Sequence, residues 1–310
     1  MRYPLLILLL AFSLVSVGQK KDICISIDDL PVASYGVFDT IAQKRILGNL
    51  ITSLKKNKIP AIGFVNEDKL HIDTGRRIPF EVRLLSSWVN SGLALGNHTY
   101  SHPDYNTASY HTFTQDIVKG ETVSKELLRA KHKKLTFFRH PFLHIGTTRA
   151  RADSLNAFLS ERGYIVAPVT IDNEDYAFAL AYFRAKEKKD SVLMGHIGRD
   201  YITYMDKAIH YFEKVSTELF KRNISQILLI HASMLNSDYM DALAAMFRKN
   251  GYDFISMEKT LKDPAYKSQI TVFGIWGNSW LERWAMSQGR KGEIFQGSPA
   301  VPEYVRKIDN

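Results

Sequence analysis

A chain of 310 residues can bury a full core, and a composition of 45% hydrophobic and 24% charged residues excludes a disordered or fibrous protein. Forty-one Lys and Arg against 32 Asp and Glu give a formal charge of +9, a surface that suits anionic polymers without singling one out. The single cysteine, Cys24, excludes an internal disulfide and is expected to pack as a small apolar residue.

Residues 1–18 read as a leader. Arg2 precedes the apolar run 5–12, small residues follow, and a cleavage site is expected after Gly18, with Ser16 three places back. The run stops at Gln19-Lys20-Lys21-Asp22, short of the ~20 apolar residues that a membrane span needs. Export to the periplasm or beyond is therefore expected, with no stable membrane anchor and no nucleic-acid partner. Cleavage would remove one charge, Arg2, and leave +8.

From there short apolar runs alternate with amphipathic stretches. Strands are predicted at 23–27, 61–65, 93–95, 135–138, 165–171, 227–230 and 254–256. Helices are predicted at 40–56, 81–91, 112–131, 150–162, 177–186, 204–222 and 239–249, with Gly92, Gly163 and Gly251 marking helix ends. Seven parallel βα units imply an α/β fold, a distorted (β/α)7-type barrel over residues 19–265. Residues 266–310 break the alternation and form a C-terminal extension, expected to pack on the barrel. There Trp276, Trp280 and Trp284 are spaced by four and predicted to share a helical face, for docking or for stacking sugars.

Polar residues fall at the predicted strand ends. Asp28 and Asp29 follow the first strand, His98 the third, Arg139 the fourth, Asp172 the fifth and His231 the sixth. In a β/α barrel those ends share one mouth, where chemistry is done. In Asn97-His98-Thr99-Tyr100-Ser101-His102, two histidines four apart on a helical turn would point at one ion. Ser26-Ile27-Asp28-Asp29-Leu30-Pro31 supplies carboxylates; side chains of adjacent strand residues diverge, so one acid can bind metal while the other serves as a base.

Together these segments resemble the NodB-homology polysaccharide deacetylases, carbohydrate esterase family four. The family's Thr-Phe-Asp-Asp-Gly-Pro corresponds to Ser26–Pro31, its His-(Ser/Thr)-x-x-His to His98–His102, and its Arg followed by Pro-Tyr to Arg139-His140-Pro141-Phe142. Asp-x-x-Asp-Trp corresponds to Asp172-Asn173-Glu174-Asp175-Tyr176, and Leu-x-His to Leu229-Ile230-His231. The motifs keep the family's order, and the region after about Lys262 lies outside them. Leu30, Phe142 and Tyr176 replace the family's Gly, Tyr and Trp, and no ligand or acid–base group is lost.

The resemblance implies the NodB homology fold and one divalent metal ion, usually zinc, on Asp29, His98 and His102. It implies Asp28 as general base, Arg139 as its orienting partner and His231 as general acid. Phe142 would offer its backbone N–H to the oxyanion, Leu229 would line the acetyl pocket and Tyr176 would wall the groove. Asp172 or Asp175 would tune Arg139 or His231, a choice the sequence leaves open. The implied substrate is an acetylated cell-envelope or extracellular glycan, N-acetyl before O-acetyl. Two other readings stay open: a non-catalytic carbohydrate-binding relative, and a metal-dependent hydrolase of another amide or ester. His140 and His144 lie close enough to the motifs to approach the site; the other histidines read as surface residues.

Overall fold

Burial explains the spine of the molecule. In the strand β1 (Lys21–Leu30) seven of ten residues are buried, and the strand accepts partners along its length. β2 (Ile62–Val65) pairs with it at Ser26–Leu30, β6 (Gln226–His231) at Ile23–Asp28, and β7 (Tyr252–Phe254) at Lys21–Ile23, all parallel. Adding β3 (Ala94–Asn97), β4 (Phe137–Phe138) and β5 (Ile165–Val166) gives the order β5-β4-β3-β2-β1-β6, with β7 off this path on β1. This computed structural model describes residues 20–33, 39–72 and 75–308; the expected leader, 1–18, lies outside the described residues.

The predicted strand 165–171 is divided. Residues 165–166 pair with β4, and the Ala167 N–H donates to Phe138 O; Pro168, which has no N–H, interrupts the ladder. The N–H groups of Thr170 and Ile171 then donate to Ile227 O, and that of Leu229 donates to Ile171 O. The segment thus serves β4 at one end and β6 at the other, which curls the sheet into the expected distorted (β/α) barrel. Cys24, Ile62, Phe64, Phe137, Ala167, Ile227 and Met257 form a small cluster apart from the main core, and the alternation of β1 assigns Cys24, Ser26 and Asp28 to that same inner face. Cys24 is fully buried there, as expected.

Around the sheet pack α1 (Thr40–Lys56), α2 (Pro79–Asn90), α3 (Tyr110–Lys119), α4 (Thr122–Arg129), α5 (Arg149–Glu161), α6 (Asp175–Glu187), α7 (Ser191–Phe220) and α8 (Met234–Lys249). The helix predicted over 112–131 is in fact two, α3 and α4, parted at Gly120. A Cβ there would meet Thr99 C and Tyr100 N at 2.5 Å, so the break lets the helix corner press against the loop that carries the two histidines. The helix predicted over 204–222 begins earlier, at Ser191. Gly195 and Gly198 weaken its signal, and Gly198 is required by the Tyr239 ring of α8, which a Cβ would strike at 1.8 Å.

The chain ends with α9 (Met257–Thr260), α10 (Trp280–Ser287) and α11 (Glu303–Lys307). Trp280, Leu281, Trp284, Ala285, Ile294, Val301 and Val305 belong to the same core cluster as the barrel helices. The expected three-tryptophan face is corrected to two. Trp280 and Trp284 lie on α10 and are buried, whereas Trp276 precedes the Ser279 N-cap and is 44% exposed. The capping box of Ser279 and Glu282 starts the helix after Trp276. Among the described residues no helix is long and apolar enough to cross a membrane.

Candidate active site

Strand alternation alone would send Asp28 and Asp29 to opposite faces. The register with β2 shifts between Ile27 and Leu30, and Asp29 takes a left-handed backbone (φ 67°). That irregularity re-aims Asp29 so that both carboxylates line one cavity. Asp28 sits opposite His231 on the neighbouring strand β6, and the Ala232 N–H donates to Asp28 O.

Asp29, His98 and His102 come together, each offering one donor atom, all within 4.8 Å of one another. The two histidines do not share a helical turn, as their spacing suggested. Residues 98–102 form a loop with Thr99 and His102 left-handed (φ 66° and 57°). Polar contacts impose that shape. Asn97 Oδ1 accepts the Thr99 N–H, Thr99 Oγ1 accepts the His102 N–H, and Asp116 Oδ1 accepts the N–H groups of Tyr100 and Ser101. The imidazoles end 4.8 Å apart, edge to face.

These donors suit a divalent ion such as zinc, which takes imidazole nitrogen and carboxylate oxygen. The buried His98 is 2.9 Å from Arg139 O through Nδ1; donation there fixes the tautomer and turns Nε2 towards the carboxylates, 3.7 Å from Asp28 Oδ2 and 4.0 Å from Asp29 Oδ1. Burial lowers the pKa of both His98 and His102 to about 4, so both are neutral near pH 7, as ligands must be. For Asp29 burial acts upward, but Lys69 and the nearby histidines outweigh it and hold the carboxyl well below its ordinary range. Lys69, which sequence reasoning missed, also donates to Asp29 O at 2.9 Å.

Arg139 is fully buried at the end of β4. It donates to Ala167 O through Nε (2.8 Å) and to Ser26 Oγ through Nη2 (2.9 Å), lies over the Phe64 ring, and reaches Asp28 Oδ2 through Nη1 at 3.4 Å. Arg139 by itself would hold the Asp28 carboxyl low. Burial is the larger influence and pushes Asp28 up to about 6 against the pull of Arg139 and His231. Asp28 Oδ1 is buried with no hydrogen-bond partner among the described residues, as suits a group with work to do in the cavity.

His231 ends β6. Of the two acids left open by the sequence, Asp175 is the one that holds it. Asp175, fully buried at the start of α6, accepts from the His231 backbone N–H (2.8 Å) and pairs with its Nδ1 (2.7 Å). Asn236 Nδ2 donates to the same carboxylate, and Tyr201 donates to Asn236 Oδ1. Burial would lower the His231 pKa, but Asp175, Asp29 and Asp28 overcome it and raise it to about 9. Asp172 lines the cavity and accepts from the Asn173 N–H; burial and then Glu282 push it up to about 7.

The cavity, about 560 Å³, also reaches His140, Phe142, Tyr176 and Leu229. His140 is buried, and its pKa is lowered to about 3 by burial and then by Arg283. Phe142 is half-exposed, with its ring edge-on to His102 at 4.5 Å. Tyr176 is exposed at the rim and Leu229 is buried. His144 is instead paired with Asp104. Gly277, Glu282, Ser298 and Pro299 of the C-terminal segment also line the cavity. No motif marks them, so sequence reasoning missed them.

Residues 16–157, which contain the first three motifs, match the family model described as polysaccharide deacetylase. No match was found among curated proteins. Among solved structures the chain is similar to a family 4 carbohydrate esterase from Bacillus anthracis (20% identity, 78% of this chain and 83% of that one, TM-score 0.47). It is similar to the peptidoglycan deacetylase PdaC from Bacillus subtilis (18% identity, 79% and 93%, TM-score 0.46). A CE4 family pseudoenzyme from Bacillus anthracis, BA3943, is matched as well (14% identity, 78% and 66%, TM-score 0.46). The polysaccharide deacetylase model thus covers a little under half of the chain, the part that carries the first three motifs.

Proposed function

We propose that this protein is a metal-dependent deacetylase that hydrolyses acetyl groups, N-acetyl before O-acetyl, of a cell-envelope or extracellular glycan. One observation carries the reading. A single cavity joins the three-donor set Asp29, His98 and His102 to a buried carboxylate, Asp28, and to a carboxylate-held histidine, His231. A module that only binds carbohydrate needs neither of the last two.

Amide hydrolysis requires an activated water, a polarised carbonyl and a protonated leaving nitrogen. Asp29, His98 and His102 would hold the divalent ion, zinc by ligand type, which when bound supplies Lewis acidity and lowers the pKa of water. Asp28 takes the proton from the attacking water; with its pKa near 6 it is ionised at neutral pH yet basic enough to accept. Arg139 fixes that carboxylate from below. His231, protonated below about pH 9, gives its proton to the leaving nitrogen, and Asp175 keeps the ring oriented as it does so. The Phe142 backbone N–H faces the developing oxyanion, Leu229 lines the acetyl pocket and Tyr176 offers a face to the sugar. We place this chemistry outside the cytoplasm, after removal of residues 1–18.

The test is acetate release by purified protein of known metal content from a panel of N- and O-acetylated glycans. Release is expected from at least one N-acetylated glycan, with loss on chelation or in Asp28→Asn. A metal-loaded protein that frees no acetate from any of them would sink the reading.

A further inference from the structure

The C-terminal segment lies outside all five motifs, yet it touches the turn that would hold the oxyanion. That turn is conformationally costly. Phe142 and Leu143 are consecutive left-handed residues (φ 55° and 56°), a region that bulky side chains adopt only when their surroundings impose it. The N–H groups of Leu143 and His144 are committed to the carbonyls of His140 and Pro141. What imposes the shape from outside is the segment before α10. At Gly277 a Cβ would stand 2.1 Å from Phe142 O, so the two backbones are in contact there and only glycine fits.

Arg283 ties the two backbones together. Its side chain is fully buried, and its Nη2 donates to Leu143 O at 2.9 Å and to Trp276 O at 2.6 Å, while Nε donates to Asn278 O at 3.2 Å. One guanidinium thus spans the turn and the chain on both sides of Gly277. Burying a cation on carbonyl groups is expensive, and the planar fork is what lets a single side chain serve three of them. The Ser279–Glu282 capping box fixes the helix start from which Arg283 reaches back.

We propose that Arg283 and Gly277 are positioning residues of the active site, holding the Phe142–Leu143 turn so that the Phe142 backbone amide meets the developing oxyanion. The role given to that amide rests on the deacetylase reading; the clamp itself does not. The C-terminal segment is then a working part of the site, and a barrel carrying all five motifs but lacking it is impaired.

Full-length Gly277→Ala, Arg283→Met and Arg283→Lys are compared with wild type for kcat and KM in acetate release from an N-acetylglucosamine oligomer. Bound metal, thermal melting and amide hydrogen exchange over residues 141–144 are measured alongside. Gly277→Ala and Arg283→Met are expected to lower kcat at least about 10-fold with KM within about 3-fold, since a displaced oxyanion donor costs the transition state rather than binding. Metal content stays at the wild-type level, exchange over 141–144 quickens, and Arg283→Lys, a point charge without the fork, recovers part of kcat. Unchanged kcat together with unchanged exchange overturns the proposal, as does a loss confined to KM or to metal content. If Arg283→Met fails to fold, Gly277→Ala decides, because it removes no buried contact. Wild type releasing no acetate from the oligomer or from the glycan panel defeats the deacetylase reading instead, and exchange in Gly277→Ala still judges the clamp.

Discussion

Replacing Asp175 by Asn removes the charge that keeps His231 protonated while leaving a side chain of nearly the same shape. In the native protein burial pulls the His231 pKa down from 6.5, and the Asp175 carboxylate, through charge and the 2.7 Å contact with Nδ1, is the strongest influence raising it to about 9. The rise from 6.5 to about 9 corresponds to about 3 kcal/mol favouring the imidazolium. Because the folded pKa is raised, the acid form is complete at low pH and is lost as pH climbs through about 9. At pH 8 a histidine titrating near 9 is ~90% protonated, and one at the ordinary value of 6.5 is ~3% protonated, a ~30-fold difference in the general acid. Asp175→Asn is therefore expected to lose roughly 30-fold in kcat at pH 8 and to shift its alkaline limb about two units towards acid. As pH falls the variant regains its proton, and the deficit narrows towards what lost orientation costs. The assay is the pH dependence of kcat, with NMR titration of the His231 ring as a direct check. An alkaline limb at the native position in a folded, metal-loaded variant would refute the acid role of His231.

Asp28→Asn is expected to cost at least ~10²-fold in kcat while bound metal, measured by elemental analysis, stays unchanged, since base and ligand set are separate groups. A chelator is expected to abolish activity, one equivalent of zinc to restore it, and His98→Ala to lose both metal and activity. Gly120→Ala would drive a Cβ into the Thr99–Tyr100 backbone at 2.5 Å. It is expected to destabilise the fold by ~1–3 kcal/mol and to weaken metal binding through His102, read by thermal melting and metal titration. A native melting temperature with native metal affinity would show that the loop is not held there.

Much of the barrel was legible because its signals are local. The buried strand runs, the helix at 40–56 and the glycines that end helices are patterns of a few residues, and each corresponds to an observed element. The strand ends could likewise be read as one mouth, since parallel topology carries every C-terminal end to the same side. Where local patterns were ambiguous the reading slipped. Gly120 is weak punctuation in an amphipathic stretch, Gly195 and Gly198 mask a helix that tertiary packing sustains, and Trp276 keeps a helical spacing with no helix beneath it.

The sequence by itself determined which chemistry-bearing residues exist and in what order they reach the mouth: Asp28 and Asp29, His98 and His102, Arg139, Asp172 and Asp175, His231. Only the tertiary structure decided how they are aimed. A strand irregularity turns Asp29 to join Asp28, Asp116 folds the histidine loop, and Asp175 rather than Asp172 takes His231. Gly277 and Arg283 reach the site from more than 130 residues beyond the turn they brace. Composition and spacing report on neighbours along the chain, whereas a side chain's direction is set by hydrogen bonds and contacts to segments far away in sequence, which exist only once the chain has folded.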